Sequence, residues 1–364
     1  NTADIILIDV QTPTDPQGVP YYDSLREVSK TIGKYIKKDT LVVVESTVAP
    51  GTTQHVVQPL IEEYSGLEGG KDFSLAFSYE RVMPGRLLEF IVNMPRVVGG
   101  IDQRSTERAI TLYKTIVKKE IVSTSCLSAE TAKTIENAYR DVNIAFANEM
   151  ALVCESLDID VYEIREIINM RDDRQMHIPG AGVGGHCLPK DSWLLRHGLF
   201  QYGNWKIEPE FIALARRIND YMPIHMANLV EKALSEKNIH LRDAKIAILG
   251  VAYLEDSDDT RNTPATPLIK TLVSRDATVI AHDPFVRAKD YDIVPFTNNF
   301  EEAVTDSHCV VIVTKHKKYY HIDLNGLNQK MKIPIIVDGR NVFSKDDCIK
   351  AGFLYRGVGK GISN

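Results

Sequence analysis

Short apolar runs alternate with amphipathic stretches along the first 120 or so residues of the chain. Ile5–Val10 and Leu41–Glu45 read as buried parallel strands and Phe73–Phe77 as a shorter one, with helical patterns near 23–37 and 52–65. Strands alternating with helices predict a parallel α/β sheet. From Ser128 to about Leu157 there is no glycine or proline, and Ile135, Ala138, Val142, Ala145, Leu152 and Val153 recur at helical spacing. One long helix is predicted there, with Ser128 as its N-cap. A helix near 161–169, a Gly/Pro-rich loop at 179–189 and helices near 191–199 and 209–235 follow. From about residue 243 a second α/β pattern begins, with strands at Lys245–Gly250, Ala277–Ala281, Cys309–Thr314 and Ile333–Val337. The expected fold class is α/β: two Rossmann-like α/β domains joined by a long central helix and a helical region. The expected domains are 1–120, 121–240 and 241–364. Neither a short-period repeat nor a low-complexity segment interrupts this layout.

The chain has 364 residues, 44% of them hydrophobic, enough for two or three soluble domains with ample cores. A net charge of −6 with no long basic run disfavours nucleic acid or a membrane surface as partner. No apolar stretch approaches the roughly 18 residues of a membrane span. The five cysteines are widely spaced, without a CxxC pair or a disulfide framework, which fits a reducing cytoplasm.

The densest chemistry lies in Pro179-Gly-Ala-Gly-Val-Gly-Gly-His-Cys-Leu-Pro-Lys-Asp191. Gly180, Gly182 and Gly185 spell G-x-G-x-x-G, but the preceding Arg171–His177 is polar. The dinucleotide fingerprint needs a strand before it, so that reading is rejected. The glycines instead let backbone approach a ligand closely. Cys187 stands between this turn and Lys190-Asp191, a setting that favours a thiolate. An arbitrary cysteine is more often inert packing, and Cys126, Cys154, Cys309 and Cys348 keep that reading. His186 is a base or metal ligand in an alternative reading, but no Cys/His cluster supports zinc, and no metal is expected. On the long helix, Lys133, Asn137 and Asp141 recur every four residues on one face, with Asn148 continuing the stripe and Arg140 beside it. A solvated face is the usual meaning of such a stripe. Between two α/β units it can instead line a cleft, where a lysine and an amide could hold an oxyanion.

Several motifs in order give the chain its resemblance to the UDP-glucose/GDP-mannose dehydrogenase superfamily. They are Ala3-Asp4-Ile5 through Thr12-Pro13-Thr14, Glu45-Ser46-Thr47-Val48 with Gly51-Thr52, Ser78-Tyr79-Glu80-Arg81-Val82 with Pro84-Gly85, and Pro95-Arg96-Val97-Val98-Gly99-Gly100. Glu130 to Lys133, Glu136-Asn137, Asn143 to Glu149, Gly184 to Asp191, Asp259-Thr260-Arg261 and Asp338-Gly339-Arg340 complete the set. The resemblance implies an NAD-dependent oxidation of a UDP-sugar at C6 to the acid, by two hydride transfers and through a thiohemiacetal and thioester on Cys187. It implies Lys133 and Asn137 as oxyanion donors, Asp191 and Thr47 as groups that place water and move protons, and Glu80 as an aid to thioester hydrolysis. Implied cofactor contacts are Thr12, Thr47, Lys190 and Arg261. Implied substrate contacts are Glu80, Arg81, Lys133, Asn137, Arg140, Arg171, Arg174, Gly182, Tyr253 and Arg340. A homodimer through the long helix is implied as well.

Ser78-Tyr79-Glu80-Arg81-Val82 and His186 resemble members that oxidise N-acetylhexosamines, whereas UDP-glucose oxidisers tend to carry Asn-Pro-Glu-Phe. UDP-N-acetyl-D-mannosamine is the expected substrate, with UDP-N-acetyl-D-glucosamine as the alternative. Two departures stand out. The chain opens after the point where the family carries its G-x-G-x-x-G unit, so the first Rossmann unit is expected to be incomplete. A truncated, inactive UDP-sugar-binding fragment is therefore a further alternative. In addition, Leu254 follows Tyr253 where the family usually has lysine, removing one positive contact. A cysteine hydrolase pairing Cys187 with His186 is a third reading. Neighbouring residues rarely reach nucleophile–base geometry, which counts against it.

Overall fold

The computed structural model describes residues 2–15, 17–82 and 86–361; the Pro84-Gly85 motif lies outside them. In chain order the elements are β1 (Ile5–Ile8), α1 (Asp23–Tyr35), β2 (Leu41–Val44), α2 (Gln58–Ser65), β3 (Ser74–Phe77), α3 (Leu87–Asn93), β4 (Arg96–Gly100), α4 (Gln103–Tyr113), β5 (Ile121–Ser125) and α5 (Cys126–Ser156). Then come α6 (Val161–Asn169), α7 (Leu188–Tyr202), α8 (Glu210–Ser235), β6 (Lys245–Leu249), α9 (Ala265–Ser274), β7 (Thr278–His282), β8 (Phe296–Thr297) and α10 (Phe300–Val304). The last are β9 (Cys309–Ile312), α11 (Leu324–Lys330), β10 (Ile335–Asp338), α12 (Lys345–Lys350) and β11 (Leu354–Gly357). Two compact units result: Asn1–Tyr139 with Lys190–Pro209, and Arg140–Pro189 with Glu210–Asn364. Helix α5 contributes to both. Among the described residues no helix is long and apolar enough to cross a membrane, and no group of His, Cys, Asp and Glu is arranged to hold a metal ion.

The first unit is built on a sheet of order β1-β2-β3-β4-β5. All pairs are parallel except β3–β4. The expectation of an all-parallel sheet therefore misses one reversal. It also misses β4 and β5, whose strands are short and, in β5, mostly polar. The reading of Ile5–Val10 as a buried strand needs correction too. Among the described residues β1 pairs with β2, and Ile5 and Leu7 are 44% and 49% exposed while Ile8 is buried. Apolar side chains from β2, β3 and α7 (Val42, Val44, Leu75, Phe77 and Leu194) meet in the core of this unit.

Helix α5 starts two residues before the predicted N-cap, directly from β5. The cap is Ser125, whose hydroxyl accepts from the Ser128 N–H at 3.1 Å. Ser128 sits inside the first turn, and its own hydroxyl is hydrogen-bonded to that of Ser125. Glu130 lies on the inward face of α5 and is fully buried. Its two oxygens accept from the N–H groups of Gly51 (2.6 Å) and Thr53 (2.8 Å). Thr53 opens a π-helical turn, Thr53–Val57, that runs into α2, and Gly51 lies two residues before it. Backbone donors at a helix start need acceptors, and here a buried carboxylate supplies them.

The second unit has a fully parallel sheet of order β11-β10-β9-β6-β7-β8, the doubly wound strand order of a dinucleotide-binding fold. Its core joins the apolar faces of α8, α9 and the later turns of α5 to the central strands. Asp141, read from the sequence as part of a cleft-lining stripe, is fully buried. Its Oδ1 accepts from Arg216 (2.6 Å) and from Asn219 (2.8 Å). Asn219 in turn accepts from Asn148 at 2.8 Å. Helical spacing put these residues on one face. It did not reveal that the face packs against α8.

Burial pushes the Glu130 carboxyl up to about 7, against the opposing hydrogen bonds from Thr53 and Gly51. A carboxyl raised in the folded state makes stability fall as pH rises from its unfolded value near 4.5 to about 7, with no further loss above that. At about 1.4 kcal/mol per unit, the decline attributable to Glu130 is roughly 3 kcal/mol. Urea melts of the wild type and of Glu130→Gln across that window should differ in slope by this contribution. Parallel pH profiles would show that Glu130 does not titrate there.

Candidate active site

In the first unit the polar side chains of α5 meet loops that leave the carboxyl ends of β1, β2 and β3. Lys133 is 7% exposed. Its ammonium donates to the Glu80 carbonyl at 3.0 Å, stands 4.0 Å from a Glu80 carboxylate oxygen, and lies 5.3 Å from the centre of the Tyr79 ring. One turn on, Asn137 donates its amide to Asp191 Oδ2 at 2.5 Å. Asp191 and Lys190 open α7, and both are buried. The Lys190 ammonium is 3.6 Å from Asp191 Oδ1 and donates to the Thr12 carbonyl and hydroxyl, both at 3.1 Å. The Thr12 hydroxyl then donates to the Thr47 carbonyl at 2.6 Å. The structure thus brings together Thr12, Thr47, Lys133, Asn137, Lys190, Asp191 and Glu80, all singled out from the sequence. A buried ammonium beside the carboxyl ends of β1 and β2 matches a phosphate-bearing cofactor, since open α/β sheets bind ligands at those ends.

Arg81 is placed differently. Its guanidinium donates to both carboxylate oxygens of Glu136 (3.1 and 3.0 Å), to the Pro95 carbonyl (2.9 Å) and to the Tyr79 hydroxyl (3.0 Å). All three nitrogens are engaged by protein. Glu136, an exposed member of the same helix and absent from the list of expected contacts, is its main partner.

The second unit holds the cysteine loop. The Gly180 N–H donates to Asn148 Oδ1 at 2.9 Å, and Arg340 donates to the Gly182 carbonyl at 3.1 Å and to that of Val313 at 2.8 Å. Gly185 donates to the Arg261 carbonyl, and the Asn262 amide returns a bond to the Gly185 carbonyl, each at 3.0 Å. Gly182 and Gly185 have φ of +122° and +89°, and a Cβ on Gly185 would stand 2.7 Å from the Tyr253 ring. Only glycine satisfies both conditions there. No strand precedes this loop, in accord with rejecting the fingerprint.

Cys187 is exposed and immediately precedes α7, whose N-terminal end favours an anion. The other four cysteines are buried, and burial pushes the thiols of Cys126, Cys154, Cys309 and Cys348 up, Cys348 to about 12. Arg261 forks onto Asp259 (2.9, 3.1 and 2.6 Å), and Tyr253 is half-buried on the same turn. Arg171 and Arg174 are exposed, both paired with Asp173. They line a cavity of about 380 Å³ together with Arg165, Asn169 and His177. Arg140 is exposed, close enough to His177 to help lower its pKa, an effect led by burial.

Sequence reasoning missed the groups that hold these loops: Glu130, Glu136, Arg96 and the pair Asp141–Arg216. All but Arg216 stood within quoted motifs or the helix stripe. Their partners, however, are distant in the chain, and nothing in the sequence announces them.

The chain matches three models of the UDP-glucose/GDP-mannose dehydrogenase family: the NAD binding domain over residues 1–117, the central domain over 127–221 and the UDP binding domain over 247–345. It is 37% identical over 359 residues to the UDP-N-acetyl-D-mannosamine dehydrogenase of Pyrococcus horikoshii, covering 99% of this chain and 82% of that one. The solved structure of a UDP-D-ManNAc dehydrogenase from that organism superposes with a TM-score of 0.92, covering 100% of this chain and 82% of its own. A solved NDP-N-acetyl-D-galactosaminuronic acid dehydrogenase from Methanosarcina mazei Go1 is 39% identical, with a TM-score of 0.91 over 99% of this chain and 78% of its own. With whole-chain identity at that level, two parallel-sheet units and an NAD binding domain, the chain belongs to the UDP-glucose/GDP-mannose dehydrogenase family of NAD-dependent oxidoreductases.

Proposed function

We propose that this protein oxidises C6 of UDP-N-acetyl-D-mannosamine from alcohol to carboxylate in two two-electron steps, with Cys187 as the covalent nucleophile. The observation that carries the reading is the set of Lys133, Asn137 and Asp191, buried or half-buried and mutually oriented, with the exposed Cys187 four residues before Asp191 at the start of α7. Functionally the chain divides into a cofactor part (1–120), a central part with the long helix and cysteine (121–240) and a UDP part (241–364). The family names of the three matched regions support that division.

Bound NAD supplies the hydride acceptor for each oxidation. Thr12, Thr47 and Lys190 would hold it in the first unit, and Arg261 would meet its phosphates from the turn after β6. In the first oxidation Asp191, through a water that Thr47 orients, takes the C6 hydroxyl proton as the C–H pair departs as hydride. The Cys187 thiolate then adds to the aldehyde carbon, forming a C–S bond. Lys133 and Asn137 stabilise the oxygen that gains the negative charge. Loss of a second hydride and the hydroxyl proton gives the thioester. Glu80 and Thr47 direct water at that carbon, the C–S bond breaks, and Cys187 recovers its thiolate. The sum is one alcohol, two NAD and one water to one carboxylate, two NADH and three protons. A covalent adduct keeps the aldehyde from escaping between the two oxidations.

On the substrate side, Tyr253, Gly182 and Arg340 would hold the UDP portion, with Arg140, Arg171 and Arg174 meeting negative charge. The saturated guanidinium of Arg81 fits a strut that fixes the Tyr79-Glu80 turn better than a direct sugar contact. Leu254 leaves that segment without the family's usual lysine. The manno sugar is favoured by the name of the Pyrococcus horikoshii relative. The gluco sugar is the alternative, and the Methanosarcina mazei structure adds the galacto epimer as a comparison.

Three measurements test the reading. Cys187→Ala should bind the UDP-sugar as the wild type does and form no acid. Acid production by this variant would exclude the thioester route. Lys133→Ala should lower kcat by about 100-fold or more, the usual loss of one oxyanion donor. A loss of only about two-fold would make Lys133 a structural group. Calorimetric titration with the manno, gluco and galacto UDP-N-acetylhexosamines should give binding of the manno sugar. Selective binding of either epimer would reassign the substrate.

A further inference from the structure

One buried cation in the first unit touches neither α5 nor any residue assigned above to chemistry. Arg96 opens β4 and is 7% exposed. Its Nε donates to the Ser78 hydroxyl at 2.8 Å, and its Nη2 is paired with Glu45 Oε1 and reaches the Ser78 carbonyl at 3.4 Å. The guanidinium stacks 3.9 Å from the centre of the Tyr113 ring, and the Tyr113 hydroxyl donates to the same Glu45 oxygen. Ser78, fully buried, donates onward to the Val97 carbonyl at 2.9 Å. Nε, Nη2 and one face of the guanidinium are therefore engaged.

The positions of Glu45 and Ser78 give this arrangement its meaning. Glu45 is the first residue after β2 and lies two before Thr47. Ser78 is the first residue after β3 and lies two before Glu80. Beyond the β2–β3 ladder, one planar fork therefore links the side chains at the roots of two loops, which carry the residues assigned to water placement. The other ends of both loops are also pinned, Thr47 by Thr12 at 2.6 Å and Glu80 by Lys133 at 3.0 Å. Ser46 anchors the β2 loop further, donating to the Val10 carbonyl at 2.6 Å and accepting from the Val10 N–H at 2.7 Å. The backbone ladder joins the strand ends, with the Ser78 N–H donating to the Val44 carbonyl at 3.0 Å, and α5 holds both loops further out through Glu130 and Lys133; Arg96 adds the side-chain tie between Glu45 and Ser78. A lysine in its place would keep the charge but could not reach both partners or stack on Tyr113, because an ammonium lacks the fork and the plane.

We infer that Arg96 is a positioning residue for the hydrolytic half of the reaction: through Glu45 and Ser78 it fixes Thr47 relative to Glu80 and so the approach of water to the thioester. The inference rests on the thioester reading above. It singles out one step. The oxidations depend on Cys187, Lys133, Asn137 and Asp191, none of which Arg96 contacts, and use Thr47 alone of the two loops, whereas water attack on the thioester needs Thr47 and Glu80 in register.

The test uses the full chain, quenched during steady-state turnover and weighed intact by mass spectrometry for the covalent adduct on Cys187. Arg96→Lys and Ser78→Ala should slow acid release by roughly ten-fold or more, since a misplacement near 1 Å costs up to about 100-fold. The adduct should accumulate and the KM for UDP-sugar should stay close to wild type. Ser78→Ala removes a single small hydroxyl, so it keeps the test open should Arg96→Lys fail to fold. Glu80→Gln serves as the control and should accumulate adduct itself. If it does while Arg96→Lys and Ser78→Ala lose activity with no rise in adduct, Arg96 is merely structural and the inference is overturned. If Glu80→Gln also gives no adduct, the thioester reading fails and this inference falls with it.

Discussion

Helix α5 carries Glu130, Lys133, Thr134, Asp141 and Asn148 into surroundings where water does not reach, and the rest of the first unit's site follows from that. A buried polar group costs several kcal/mol unless it is paired, so each of these side chains must find a partner. On α5 most of those partners are on loops. Glu130 takes the N–H groups that open the turn after Thr47. Lys133 takes the carbonyl of Glu80, half-exposed Asn137 takes Asp191, and Asn148 takes the N–H of Gly180 in the cysteine loop. Segments that would otherwise be free surface connections are thereby fixed by the cost of leaving a helix side chain unsatisfied.

The periodic elements were legible from the sequence because one physical signal, repetition at a fixed spacing, identifies them. The helix at 161–169 was placed to the residue, and α8 to within one. The misses have equally local causes. Strand β1 is as apolar as a buried strand, yet Ile5 and Leu7 are exposed among the described residues. The residues of β5 read Ile-Val-Ser-Thr-Ser, too polar to separate from a loop. The N-cap was assigned to Ser128 instead of Ser125 because two serines three apart both suit a cap, and only the direct passage from β5 into α5 decides between them. Lys133 and Asn137 could be paired from four-residue spacing. That Asp141 belongs to a buried ion pair and not to the same site could not, because its partner Arg216 is 75 positions away.

Arg81 and Arg96 make the same point from the other side. Both lie in motifs of the family, and both look like anion-binding residues when read along the chain. In three dimensions one is engaged at all three nitrogens by Glu136, Pro95 and Tyr79, and the other at Nε and Nη2 by Ser78 and Glu45 with Tyr113 against its face. A residue can recur with a motif because the motif's geometry needs it, with no ligand involved. Counting the donors already used separates the two cases: Lys190 shares its ammonium between Thr12 and Asp191 at the end of a sheet, where a phosphate can join them, whereas Arg81 has no unused nitrogen left to offer.

The second unit solves the corresponding problem with carboxylates at strand ends. Asp283, after β7, accepts from the N–H groups of Val251, Ala252, Phe285 and Val286 and from His316 at 3.0 Å. Asp338, ending β10, accepts from the N–H groups of Arg340 and Phe343. Burial acts on both to raise the pKa. For Asp283 the imidazole of His316 and the converging N–H groups outweigh it, and the carboxyl lies below its usual range. Asp338 has N–H donors but no such ring, and burial prevails, leaving it raised. The pair therefore differs in what anchors each loop. The turn bearing Tyr253 hangs on a carboxylate held by an imidazole, and the turn bearing Arg340 on a carboxyl held by backbone N–H groups and, at 3.4 Å, the Tyr355 hydroxyl. Because Arg340 in turn holds the Gly182 carbonyl, the carboxyl that ends β10 is linked through one residue to the cysteine loop.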